Sequence, residues 1–150
     1  MMKDDVKNIS KLREMTGAGV MECKQALRES AGDLEKAEKI IQAQGLLKVE
    51  KRAGREAGAG LIESYIHNER IGVLVDVRAE TDFVVRSEPF RKLAHELAMQ
   101  IAAMAPADVE ELLKQPYIKD ESRTMGELVR EVIAKVGENV KVNGFSRMEV

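Results

Sequence analysis

Side chains capable of covalent or metal chemistry are sparse in this sequence. Cys23, His67 and His95 supply all the thiol and imidazole that 150 residues hold. One cysteine rules out an intrachain disulfide or a Cys-rich metal cluster. Cys23 falls at helical spacing with Val20 and Leu27 and reads as a small buried hydrophobe. The histidines lie far apart without metal-ligand spacing and read as surface or packing residues. No nucleophile elbow, phosphate-cradling glycine loop or zinc-binding helix occurs. An enzyme is therefore not expected, and neither a metal nor a cofactor is.

What remains is the short segment Ala79-Glu80-Thr81-Asp82-Phe83-Val84-Val85-Arg86. It follows the alternating run Ile71 to Val77 and precedes an apolar-periodic stretch from Pro89, so it lies where a strand gives way to a helix. A rigid scaffold can hold a short loop there in a fixed pose for function. Two readings fit the pattern. Phe83 is core, with Asp82 turning the chain or capping the helix, or Phe83 is presented to a partner.

A hydrophobic fraction of 44% and a charged fraction of 33% describe an ordinary globular chain of about one domain. The net charge of -2 argues against a nucleic-acid binder. The basic run Lys48, Lys51, Arg52 and Arg55 is interrupted by Glu50 and Glu56 and has no aromatic residue for base stacking. It reads as a solvated connector, with a nucleic-acid-binding patch as the competing reading. No apolar run approaches the ~20 residues that span a bilayer. The acidic start, Met1 to Asp5, lacks an apolar signal segment, so a cytoplasmic location is expected.

Periodicity supplies the elements. Asp4 or Asp5 is expected to cap a first helix with Val6, Ile9, Leu12 and Met15 inward. Gly17 and Gly19 permit a sharp turn into a second helix carrying Val20, Cys23, Ala26 and Leu27. Asp33 is placed to cap a third helix, with Leu34, Ala37, Ile40 and Ile41 inward and Gly45 as its stop. From Leu61 the period becomes two: Leu61 to His67, a turn at Asn68-Glu69-Arg70, and an antiparallel return over Ile71 to Val77. Phe90, Leu93, Ala94, Leu97, Ala98, Ile101 and Met104 then form a helical stripe to cover the sheet, with Arg91, Lys92 and Glu96 off it. Asp108 can cap a short helical turn, Gln115 to Ile118 suits an edge strand or loop, and Ser122 or Thr124 can cap a last helix ending at Gly137. In the terminal β-rich stretch, Asn143-Gly144 fits either a hairpin or a bulge. The expected class is α+β: an N-terminal three-helix bundle over 1–47, a helical linker over 48–60, and a 61–150 core in which helices pack on one side of an antiparallel sheet.

Three motifs resemble the bacterial elongation factor Ts family. Lys11 to Leu27, continued by Gly32-Asp33-Leu34-Glu35-Lys36-Ala37, resembles its opening. Thr81-Asp82-Phe83-Val84 resembles its second signature, and Ile133 to Val140 its C-terminal one. The resemblance implies a guanine-nucleotide exchange factor for elongation factor Tu. It implies that the three helices form a ubiquitin-associated-like module that docks on the GTPase through Leu12, Arg13, Met15, Thr16, Gly17, Ala18, Gly19 and Val20. It implies that Thr81, Asp82, Phe83 and Val84 act near the GTPase magnesium site. Arg78-Ala79 stands where the family usually has Asn-Cys, and Asn143-Gly144 replaces a pair that is often Arg-Arg. Between Pro106 and Pro116 the chain lacks a helical region that other members carry, so it resembles the short, single-core type. That type implies a homodimer paired through the sheet. The alternative is an interaction protein that binds the GTPase, or another translation component, without driving exchange.

Overall fold

A computed structural model describes residues 3–150. They form two compact units, one ending at Lys51 and the other beginning at Arg52.

The first unit comprises α1 (Lys3–Thr16), α2 (Val20–Glu29) and most of α3 (Leu34–Arg52). Helix α1 already covers Lys3, so Asp4 and Asp5 lie inside its first turn rather than at its cap. Only Gly17 of the two turn glycines adopts a left-handed φ, +69°. Gly19 is extended and caps α2, its amide donating to the Glu22 carboxylate at 3.2 Å. Asp33 caps α3 as expected, accepting from the Lys36 amide at 3.1 Å. Ile9, Leu12, Cys23, Ala26, Leu27 and Ala37 form the core, with Leu34, Ile40 and Ile41 against it. Val6, Met15 and Val20, expected inward, are exposed because they sit at the edges of their stripes. Gly45 does not end α3. A glycine inside a helix costs about 1 kcal/mol relative to alanine, which the flanking helix formers outweigh.

In the second unit, β1 (Ala59–His67) and β2 (Ile71–Ala79) form a hairpin. Asn68 and Glu69 both take positive φ, matching the right-handed strand twist. Next come α4 (Asp82–Val85), α5 (Glu88–Met104), α6 (Val109–Lys114), β3 (Pro116–Tyr117), β4 (Asp120–Thr124), α7 (Met125–Val136) and β5 (Val140–Glu149). Strands β1, β2 and β5 form one antiparallel sheet with β2 central, and β3 and β4 a separate ribbon. The expected α+β class is therefore what forms. Asn143 is the extra residue of a bulge opposite Asp76 and Val77, so the chain continues as one strand rather than turning back. Its side-chain amide donates to Asp76 at 3.0 Å.

Helix α5 covers one face of the sheet, burying Val73, Val75 and Val77 of β2 under its apolar stripe. Met104 is the exception, half-exposed at the last turn. The sequence placed Glu96 off this stripe, yet it is buried. It accepts a hydrogen bond from the Tyr117 hydroxyl at 2.5 Å and an ion pair from Lys119 at 2.9 Å. Fully buried Gln100 completes the attachment, donating to the Pro116 carbonyl and accepting from the Ile118 amide. These bonds pin the β3–β4 ribbon to α5 and satisfy polar groups that burial would otherwise leave unpaired. The opposite face of the sheet carries Ile62, Ile66, Leu74 and Met148, all exposed.

Candidate partner-binding site

The junction after β2 is not an open loop. It is α4, a single helical turn inserted before α5. Thr81, not Asp82, is its N-cap: the Thr81 hydroxyl accepts from the Val84 amide at 3.4 Å. Threonine suits this place because its backbone is extended, φ -131°, and its oxygen reaches an amide left unpaired by the helix start. The turn closes on Ser87, whose hydroxyl donates to the Val84 carbonyl at 2.6 Å.

The four residues of α4 divide by side. Val84 and Val85 are buried and hold the turn against the core. Asp82 and Phe83 face outward, and Phe83 is 86% exposed. Phe83 is the most exposed of the large apolar side chains among the described residues, which leaves its ring available to a partner. The Asp82 carboxylate makes no hydrogen bond or ion pair among the described residues, because Thr81 already supplies the cap. Of the two readings of the pattern, the core phenylalanine and the capping aspartate are both overturned here. Of the predicted segment Thr81–Val84, then, Thr81 caps, Asp82 and Phe83 are presented, and Val84 anchors.

Two residues from beyond α7 fasten this knob. Gly137 ends α7 in the left-handed conformation, φ +76°, and turns the chain toward the segment. The Glu138 carboxylate accepts from the Thr81 amide at 3.0 Å and from the Thr81 hydroxyl at 2.8 Å. The Asn139 amide donates to the Glu80 carboxylate at 2.7 Å. The buried Asn139 side chain donates to the Arg55 carbonyl at 2.8 Å. Sequence reasoning assigned Glu138 and Asn139 no role. Their only sign was a place in the C-terminal motif, which says nothing about what they touch.

In the first unit, the other predicted set clusters around the α1–α2 turn. Leu12 is fully buried and supports the turn from beneath, so it is no contact residue. Thr16 donates its hydroxyl to the Leu12 carbonyl at 2.7 Å, tightening the helix end before Gly17. Arg13, Met15, Gly17, Gly19 and Val20 are exposed, while Ala18 is half-buried. Met21, outside the predicted set, is 72% exposed and extends the apolar surface of Met15 and Val20. Its neighbour Glu22 pairs with Lys48 of α3. The Cys23 thiol is pushed above its ordinary pKa, chiefly by burial, which makes it a poor nucleophile.

Neither surface holds a nucleophile beside a base, and no group of His, Cys, Asp and Glu suited to a metal ion occurs among the described residues. No described helix is long and apolar enough to cross a membrane. The family model described as Elongation factor TS matches residues 80–150. Elongation factor Ts of Coprothermobacter proteolyticus is 41% identical, covering 93% of this chain and 94% of its own. That of Thermotoga maritima is 39% identical over 95% of this chain and 94% of its own, and that of Moorella thermoacetica 41% over 95% and 93%. The first alignment runs over 185 positions while this chain has 150 residues, so the relative contains residues with no counterpart here.

Proposed function

We propose, from the premise that the chain belongs to the elongation factor Ts family and has that family's role in translation elongation, that it is a guanine-nucleotide exchange factor, not an enzyme, acting on elongation factor Tu in the cytoplasm. The observation that carries the proposal is the exposed Phe83, with Asp82 beside it, on a fastened one-turn helix. A bound GDP is held largely by charge, with magnesium bridging phosphate oxygens and protein ligands. Releasing it requires no bond to be made or broken in the protein. It requires a rigid knob that fits the GTPase only when the ligands around the magnesium are displaced. Phe83 supplies apolar area for that fit, Asp82 a carboxylate free to accept partner hydrogen bonds, and Val84 with Thr81 the rigidity. The coupling is reciprocal: nucleotide weakens binding of the factor by the ratio in which the factor weakens nucleotide.

Residues 1–47 act in this proposal as the ubiquitin-associated-like docking module, through Arg13, Met15, Thr16, Gly17, Ala18, Gly19 and Val20 over the Leu12 core. Residues 48–60 link it to the 61–150 core, which pairs with a second copy through Ile62, Ile66, Leu74 and Met148 on the open sheet face. No direct contact with nucleic acid is needed. The test is stopped-flow release of a fluorescent GDP from elongation factor Tu with and without this protein. Accelerated release at substoichiometric factor supports exchange, and binding without acceleration refutes it. The second outcome would favour a non-exchanging binder, a reading to which the relative's additional residues lend some weight. Sedimentation showing a fully active monomer at micromolar concentration would remove the dimer.

A further inference from the structure

A single helical turn cannot hold its own shape, because fixing its dihedrals costs more than its few hydrogen bonds return. Something outside α4 must therefore set the pose of Phe83. Two attachments are internal to the knob: the burial of Val84 and Val85, and the Thr81 cap at 3.4 Å, which is long. The third comes from a residue 57 positions away. Glu138 accepts both donors of Thr81, amide and hydroxyl, at 3.0 and 2.8 Å. With the hydroxyl proton directed to Glu138, a Thr81 lone pair is left facing the Val84 amide. Glu138 is itself fixed from both sides, by the Gly137 cap of α7 and by the pairing of Val140 with Ala79. It forms no ion pair among the described residues, so its charge serves Thr81 alone.

We infer that Glu138 is a positioning residue for exchange, acting through Thr81 to hold α4 so that Phe83 meets the GTPase in one orientation. This rests on the proposed exchange role. Loss of the latch leaves the docking surface of the first unit untouched and loosens only the knob. The effect therefore falls on the release step rather than on encounter.

The experiment measures release of fluorescent GDP from elongation factor Tu at a series of factor concentrations. It compares the full chain with Glu138→Ala, Glu138→Gln, Phe83→Ala and the double variant Phe83→Ala/Glu138→Ala. Glu138→Ala is expected to lower the saturating release rate about tenfold, the loss of a charge-assisted hydrogen bond, with the half-saturating concentration unchanged within about twofold. Glu138→Gln retains an acceptor oxygen and is expected to recover most of the rate. In the Phe83→Ala background, Glu138→Ala should add little, since a residue acting through Phe83 has nothing left to position. A saturating rate within twofold of the parent, or a full further loss on the Phe83→Ala background, overturns the inference while leaving exchange intact. If Phe83→Ala itself releases GDP at the parent rate, the knob reading fails, and any loss from Glu138→Ala then shows a route that bypasses Phe83. Should Glu138→Ala not fold, Thr81→Val removes the hydroxyl contact to Glu138 together with the cap of α4 while keeping the amide contact, and a saturating rate within twofold of the parent there overturns the inference.

Discussion

Replacing Phe83 with alanine separates the folding role of this side chain from its binding role more cleanly than any other substitution here. A phenylalanine buries about 150–250 Å² when fully covered, and 86% of this one is open. Alanine therefore removes almost no core, and the stability change should stay within about 0.5 kcal/mol. If a partner covers the ring, about 25 cal/mol per Å² puts what truncation can remove at no more than roughly 3–5 kcal/mol. Central aromatic residues of interfaces commonly lose ~2–4 kcal/mol on truncation, which corresponds to roughly thirtyfold to a thousandfold. We expect stimulated GDP release to slow by about a hundredfold at saturating factor. The assay is stopped-flow fluorescence, with a thermal melt by circular dichroism on the same samples. A melt unchanged within 2–3 °C, a shift of about the expected size, alongside release slowed less than about fivefold, would refute the claim that the exposed ring is there to be inserted.

Asp82→Ala should likewise leave the melt unchanged, because Thr81 provides the cap, while slowing release; a fall in stability would mean that Asp82 serves the fold. Burial tends to raise the Glu96 carboxyl pKa, but the Tyr117 hydroxyl and Lys119 ammonium outweigh it and hold it below the ordinary range. A depressed folded value means stability present above about pH 4.3 and lost as pH falls through that lower value. Urea unfolding at a series of pH values should show this loss, and Tyr117→Phe should shrink it while costing about 1–3 kcal/mol at pH 7. Burial and the Glu96 carboxylate push the Tyr117 phenol up to about 12. Its contribution is thus complete below about pH 10 and is lost as pH rises from there through about 12, readable as late phenolate absorbance. At Gly60 an added Cβ would lie 2.5 Å from both the Val77 carbonyl and the Arg78 side chain. Gly60→Ala should therefore cost about 1–3 kcal/mol and lower the melting temperature by several degrees, and an unchanged melt would show that β1 can shift away.

Local pattern determined much of this protein. The change of period from 3.6 to 2 near Leu61, the Asp33 cap, the α5 stripe and the Thr124 and Gly137 helix ends depend on neighbours within a turn or two, so they are legible in order along the chain. Three motifs in sequence pointed to the family for the same reason. Where reading failed, a distant partner had decided the outcome. Glu96 looked solvated because its partners Tyr117 and Lys119 belong to a ribbon that periodicity does not reveal. Asn143-Gly144 suited a hairpin as well as a bulge until β2 supplied the register that left Asn143 unpaired.

The candidate site shows the division most sharply. The sequence by itself determined that Thr81, Asp82, Phe83 and Val84 lie between a strand and a helix. It could not determine which of them would face out, since a phenylalanine after a strand is ordinarily core. That was decided by tertiary packing: Val84 and Val85 fill the available core space, and Glu138 engages Thr81 from 57 residues away. Phe83 is left outside because the fold has already satisfied its neighbours, a consequence of contacts that exist only once distant segments meet.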